Sequence, residues 1–269
     1  MKWKPAEIER LAPILERIRA GLEPLVRDAA PLSRGSAPLG RGADANASAS
    51  ATPPEDQSIL VLCSAGGELP LWLAQRLPQA RFLGLELSPE GLAAARTAAA
   101  EVGLEGRVEF QPAQKTRIPF PDASFDGLVS EFILFPTPVP TEIGQPEMAR
   151  VLKPGASMLI TDVIVPEPLP EGARTALQAI GLDYLCEATP ADFCAWMESA
   201  GLVEVAVEDL TPLVRPVWEQ RQRTDPDPAH REGYALLLEH PGIQMGEGIF
   251  YIYVCGRKPQ LQLLNNRLN

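Results

Sequence analysis

The sequence predicts an α/β fold: a mostly parallel sheet with helices on both faces. Three observations carry this reading. A short apolar strand, 58–63, ends in the small-residue turn Cys63-Ser64-Ala65-Gly66-Gly67, and after an amphipathic stretch a second apolar strand, 81–86, ends in the carboxylate of Glu86. Strand-like and helix-like runs then alternate as far as residue 165, which is the pattern of parallel strands joined by helical crossovers. Finally, 249–255 is a run of β-branched, aromatic and apolar residues that reads as a last strand.

The first observation has a chemical meaning. A strand, a small-residue turn, a helix and a second strand ending in an acid are the first half of a nucleotide-binding βαβ unit. Small residues let backbone N–H groups approach a ligand closely, and the acid stands where it can accept from ribose hydroxyls. Gly67 and Glu86 are separated by close to the roughly 20 residues expected for such a pair.

Composition narrows the function. At 269 residues the chain can bury a full core, as one large domain or one domain with appendages. A formal net charge of -11 argues against a nucleic-acid partner, whose phosphates call for a basic patch. No apolar run approaches the roughly 18 residues of a membrane span. The opening residues have no apolar signal core, so a cytoplasmic protein is expected. The four cysteines, 63, 186, 194 and 255, show no CxxC spacing, and there are only two histidines, His230 and His240, so no metal site is expected.

The elements follow in order. Residues 5–27 place Ile8, Leu11, Leu15, Ile18, Leu22 and Leu25 on one helix face, with Pro13 and Pro24 expected to kink or interrupt the helix. This N-terminal segment, 1–30, is read as a helix packed on the domain, with a lid over a ligand or a homodimer contact as alternatives. Residues 31–57 are small, polar and Pro-rich, and read as a flexible linker. The main domain spans 58–258. A helix runs over about 69–77; Ser88-Pro89-Glu90 caps another over about 89–102; strand three is 107–111. Strand four is 125–134 and strand five 157–165, with a helix before it. Thr189 caps a helix that stops at Gly201, and strand six is 203–207. Thr211 caps a helix over about 212–222, and 229–239 is helical. Residues 259–269 are a tail.

In an open parallel sheet, ligands bind beyond the carboxyl ends of the strands, where the strand order reverses. That edge should gather Cys63–Gly67, Glu86 to Ser88, Ala113 to Lys115, Ser130 to Phe132 and Asp162 to Ile164.

The motifs at this edge resemble those of class I S-adenosylmethionine-dependent methyltransferases of the small-molecule type, near the quinone-biosynthesis C-methyltransferases. Residues 61–67 resemble the first motif, 83–90 the second with its ribose-binding acid at Glu86, 118–130 the approach to strand four, and 147–155 the helix and turn before strand five. The resemblance covers roughly 58–165. It implies a Rossmann-like, seven-stranded, mostly parallel sheet closed by an antiparallel last strand at 249–255. It also implies S-adenosyl-L-methionine as cofactor, bound by Cys63, Ser64, Ala65, Gly66, Gly67, Glu86, Leu87, Gln114, Lys115, Ser130, Glu131 and Phe132. The chain departs from the family at Cys63, usually an acid, at Ala65 and Leu69, usually glycine, and at Gln114, usually an acid facing the adenine.

The implied reaction moves a methyl group to a small molecule. Helices around 171–182 and 212–239 would cover the pocket, with Trp218, Tyr234 and 236–238 as lining or as core. Candidate catalytic groups are Glu131 and Asp162, with His240 and Tyr184 as further bases. Asp126 reads as a structural acid, His230 as exposed, and one face of the strand carrying Tyr251 and Tyr253 as core. The alternative function is a methyltransferase-like module that binds a cofactor or a partner without catalysis.

Overall fold

A computed structural model describes residues 5–26, 57–62, 67–114, 116–131, 143–182 and 185–260, with side chains from residue 11 onward. Cys63, Ser64, Ala65, Gly66, Lys115, Phe132, Tyr184, the side chain of Ile8, the segment 31–56 and the tail from 261 lie outside the described residues.

One sheet organises the fold. Its strands are β1 (Ser58–Leu62), β2 (Arg81–Glu86), β3 (Val108–Pro112), β4 (Phe125–Glu131), β5 (Leu152–Val165), β6 (Cys186–Glu187), β7 (Val203–Asp209) and β8 (Phe250–Arg257). They lie in the order β3-β2-β1-β4-β5-β8-β7, with β6 beside β5. β1 is parallel to both β2 and β4, while β8 runs antiparallel to β5 and β7, as the last strand was expected to do. The two-residue β6 is the strand the sequence did not predict. It is too short to show a period. It takes over beside β5 beyond Thr161, where β4 has ended.

The helices are α1 (Pro5–Val26), α2 (Glu68–Arg76), α3 (Pro89–Glu101), α4 (Gln145–Val151), α5 (Glu171–Ala179), α6 (Pro190–Ser199), α7 (Thr211–Thr224) and α8 (Arg231–Glu239), with a 3-10 turn, Pro228–His230, before the last. Alternation along the strands sorts the core into two layers. Ile59, Val61, Phe82, Val129, Leu159, Val163, Tyr251 and Tyr253 pack with residues of α1, α2, α5, α7 and α8. Leu60, Leu62, Leu83, Leu85, Leu128, Met158, Ile160 and Ile252 face the other way, with residues of α4 and α6.

α1 belongs to the first layer. Leu11, Ile14, Leu15, Ile18, Leu22 and Val26 are all buried in the same cluster as the sheet. Burying a side chain of that size is worth about 1.5–3 kcal/mol. The apolar face of α1 is thus covered by its own chain. Gly21 lets the helix approach β8, because a Cβ there would collide with the Tyr253 hydroxyl. Pro13 and Pro24 do not interrupt α1 as expected. Both are exposed, so the carbonyls that lose a donor face water, while the buried residues on either side hold the helix together. Leu25 is only half-buried, whereas Ile14 and Val26, outside the predicted face, are fully buried.

Local signals set most other boundaries. Ser88 Oγ accepts from Gly91 N at 2.9 Å, capping α3 as predicted. Thr189 and Asp192 form a capping box at α6. Thr211 does not cap α7: it is the first helical residue, and its hydroxyl instead accepts from Tyr251 N at 2.9 Å. α5 stops at Ala179, short of the predicted 182, and β5 starts earlier than predicted, at Leu152.

Candidate functional site

The strand order reverses between β1 and β4: from β1 the chain builds outward through β2 and β3, and from β4 through β5. Ser130 pairs with Leu62, so Glu131 stands one residue beyond the last described residue of β1. Ligands of open α/β sheets lie at such an edge.

Gly67 precedes α2 with φ +89, the left-handed region that suits glycine. A Cβ at this position would come 2.7 Å from Phe110 Cζ and 2.9 Å from Ala95 Cβ. Position and packing therefore both demand glycine. At the end of β2, Glu86 is 3 % exposed. Its Oε1 accepts from Ser88 N at 3.2 Å, which turns the carboxylate toward the positive end of α3. Gly91 makes room for it, since a Cβ there would stand 2.8 Å from Glu86 Cδ. The sequence reading missed Gly91, although a glycine in the first turn of a well-capped helix was a visible signal. Leu87 is half-buried, and Gln114 lies exposed two residues past the end of β3.

A second polar group sits at the ends of β4 and β5. Ser130 and Glu131 are fully buried, and Ser130 Oγ has no hydrogen-bond partner among the described residues. Tyr251 donates from its hydroxyl to Glu131 Oε1 at 3.1 Å. Burial holds that phenol well above its ordinary pKa, and the Glu131 charge adds to the effect, so Tyr251 is a proton donor at any ordinary pH. Asp162 follows on β5. By exposed area it is half-buried, but protein surrounds its carboxyl closely, and desolvation raises it to about 7. The Val163 N–H, bonded at 2.7 Å, acts against that rise, while the Glu131 charge supports it. Cys186 of β6 feels the same environment: burial first and Asp162 second push its thiol up to about 11. Tyr251 and Cys186 were not singled out from sequence as members of this group.

Other expectations resolve more simply. Asp126 accepts from Ser58 N at 2.9 Å and pairs with Lys153 at 2.8 Å, which is the structural role predicted. His230 is not exposed but half-buried, with Nδ1 2.6 Å from Asp225 Oδ2; Tyr234 donates to the same oxygen at 2.9 Å. Trp218 and Tyr234 lie in the apolar cluster with α1. His240 is exposed in the turn after α8. The motif residues before β5 form one lattice: Glu147 accepts from Ile118 N, and Arg150 reaches the Ile118 and Phe120 carbonyls, Glu147 and Asp122. This ties the loop leading into β4 to α4, and so fixes the strand that carries Ser130 and Glu131.

Residues 59–155 match the family model described as a methyltransferase domain. The geranyl diphosphate C-methyltransferase from Streptomyces coelicolor superposes with a TM-score of 0.59 at 15% identity, covering 96% of this chain and 85% of that one. This is the class I methyltransferase fold. The [4+2]-cyclase SpnF shares it, with a TM-score of 0.57, 20% identity and coverage of 94% and 95%. In sequence, the methyltransferase GfsG of Streptomyces halstedii is 31% identical over 157 residues, 56% of this chain and 54% of the relative. The demethylmenaquinone methyltransferase of Thermus thermophilus is 36% identical over 115 residues, 43% of this chain and 50% of the relative. The chain thus spans about half the length of these curated relatives. Among the described residues, no helix is long and apolar enough to cross a membrane.

Proposed function

We propose that this chain is an S-adenosyl-L-methionine-dependent methyltransferase acting on a small-molecule acceptor. The observation that carries the reading is the buried Glu86 carboxylate at the strand-order reversal, aligned with the left-handed Gly67 on the neighbouring element. An acid buried at the end of β2 and oriented by Ser88 N suits ribose hydroxyls. Glu131, on the same face of the sheet as Glu86, is a further polar group along this edge. The residues present fit the cofactor.

When bound, the cofactor supplies an activated methyl group on a sulfonium, and the protein's work is proximity, alignment and water exclusion. Glu86 orients the ribose. An acceptor that must lose a proton needs a base, and Asp162, raised to about 7, can take one near neutral pH at its carboxyl oxygen. The helices α5, α7 and α8 close the face of the sheet that carries Glu131 and Tyr251, while Asp162 faces the other layer.

The test is thermal shift and calorimetry with S-adenosylhomocysteine. The reading expects stabilisation and a one-to-one complex; no shift at millimolar ligand would remove it. A second reading, a cofactor-binding or partner-binding module without methyl transfer, is supported by the departures at Cys63, Ala65 and Gln114. Binding without product across a panel of phenol, amine, thiol and quinol acceptors would favour it.

A further inference from the structure

We infer that Glu131, held by Tyr251, is the counter-charge for the sulfonium of the methyl donor, so that the site distinguishes the cationic donor from its neutral product. This rests on the cofactor reading above and deepens it. Three observations lead there. Glu86 and Glu131 end strands separated by one strand, β1, which sets their backbones roughly 10 Å apart along the sheet edge. A ligand whose ribose lies at Glu86 and which extends across the end of β1 therefore brings its sulfur end to Glu131. Second, Glu131 is fully buried, where a carboxylate acts on a nearby charge through a low local dielectric. Tyr251 supplies one hydrogen bond from β8, at 3.1 Å, across the intervening β5. Third, alternation along the strands puts Glu86, Glu131 and Tyr251 on one face of the sheet, the face of Phe82 and Val129, so the ribose-end acid and the Glu131 carboxylate share a side.

A unit positive charge within several ångströms of a carboxylate in such surroundings is worth a large factor in affinity. S-Adenosylhomocysteine carries no charge on sulfur and forgoes that attraction. The arrangement then favours uptake of donor and release of product. Tyr251 does not touch the ligand in this scheme. It is a positioning residue, and it acts by fixing the orientation of the Glu131 carboxylate.

Calorimetry of S-adenosylmethionine and S-adenosylhomocysteine against wild type, Glu131→Gln and Tyr251→Phe tests the inference without knowledge of the acceptor. Glu131→Gln keeps a group that can accept from Tyr251 and removes only the charge. Its ratio of donor to product affinity should fall by about tenfold or more. Tyr251→Phe should lower the same ratio by a smaller factor, about three- to fivefold. A purely structural role would weaken both ligands equally and leave the ratio unchanged. An unchanged ratio in Glu131→Gln overturns the inference while the cofactor reading stands. If neither ligand binds wild type, the cofactor reading fails and the inference with it. Melting curves of each variant confirm that folded protein is being compared.

Discussion

A methyl group added at Gly67 meets two separate penalties, and a second glycine allows them to be separated. The backbone of Gly67 has φ +89, and an L-residue held in the left-handed region costs about 1–2 kcal/mol. The new Cβ would also lie 2.7 Å from Phe110 Cζ and 2.9 Å from Ala95 Cβ. Both neighbours are core residues that cannot swing into solvent, and overpacking of this kind costs about 1–3 kcal/mol. Gly67→Ala should therefore destabilise the fold by about 2–5 kcal/mol. Gly103 is the control. It too has a left-handed backbone, φ +66, but nothing lies within 4 Å of its would-be Cβ. Gly103→Ala should lose only the conformational part, about 1–2 kcal/mol. Urea titration of both variants, with equal m-values as the check on two-state unfolding, measures the difference directly. Equal destabilisation in the two would refute the claim that Phe110 and Ala95 wall in the turn that starts α2.

Further predictions follow from the charged groups. Asp162 is raised to about 7, so the folded state holds a proton that the unfolded chain releases near the ordinary value of 3.8. Stability should fall as pH rises between those values, by as much as about 4 kcal/mol, and Asp162→Asn should flatten that part of the curve. His230 is raised by Asp225, so its contribution is present below its ordinary value of 6.5 and disappears as pH climbs past the raised one. The gap in melting temperature between wild type and His230→Ala should then be widest in acid and close at alkaline pH. Arg150→Lys should destabilise by about 2–3 kcal/mol, because an ammonium cannot serve two carbonyls and two carboxylates at once; chemical denaturation measures it. Thr189→Ala removes half of a capping box and should cost about 1 kcal/mol in the same assay.

What the sequence made legible was what depends on neighbours in the chain. The alternating strands, the Ser88 cap, the acid at the end of β2 and the cap at Thr189 all rest on residues within a few positions of one another. What it hid depends on distance. Thr211 looked like a helix cap, but its hydroxyl serves the backbone of Tyr251, 40 residues away. Tyr251 looked like one member of an alternating strand, yet it reaches Glu131 at a separation of 120 residues. The prolines of α1 signalled interruption because propensity counts only the lost hydrogen bond and the ring clash, whereas the buried face decides. At the candidate site, Glu86 and Ser130 were named from motif positions, and Glu131 and Asp162 from their places late in strands four and five. That burial would raise Asp162 and close off Glu131 followed only from the three-dimensional packing.

The central claim is that the edge at β1 and β4 cups an adenosyl group with its ribose on Glu86. Calorimetric titration of S-adenosylhomocysteine into wild type and Glu86→Ala tests it most directly. The account predicts tight one-to-one binding by wild type and an affinity about 10- to 100-fold lower in the variant, from the loss of charge-assisted hydrogen bonds to the ribose. Equal affinities in two folded proteins would contradict it.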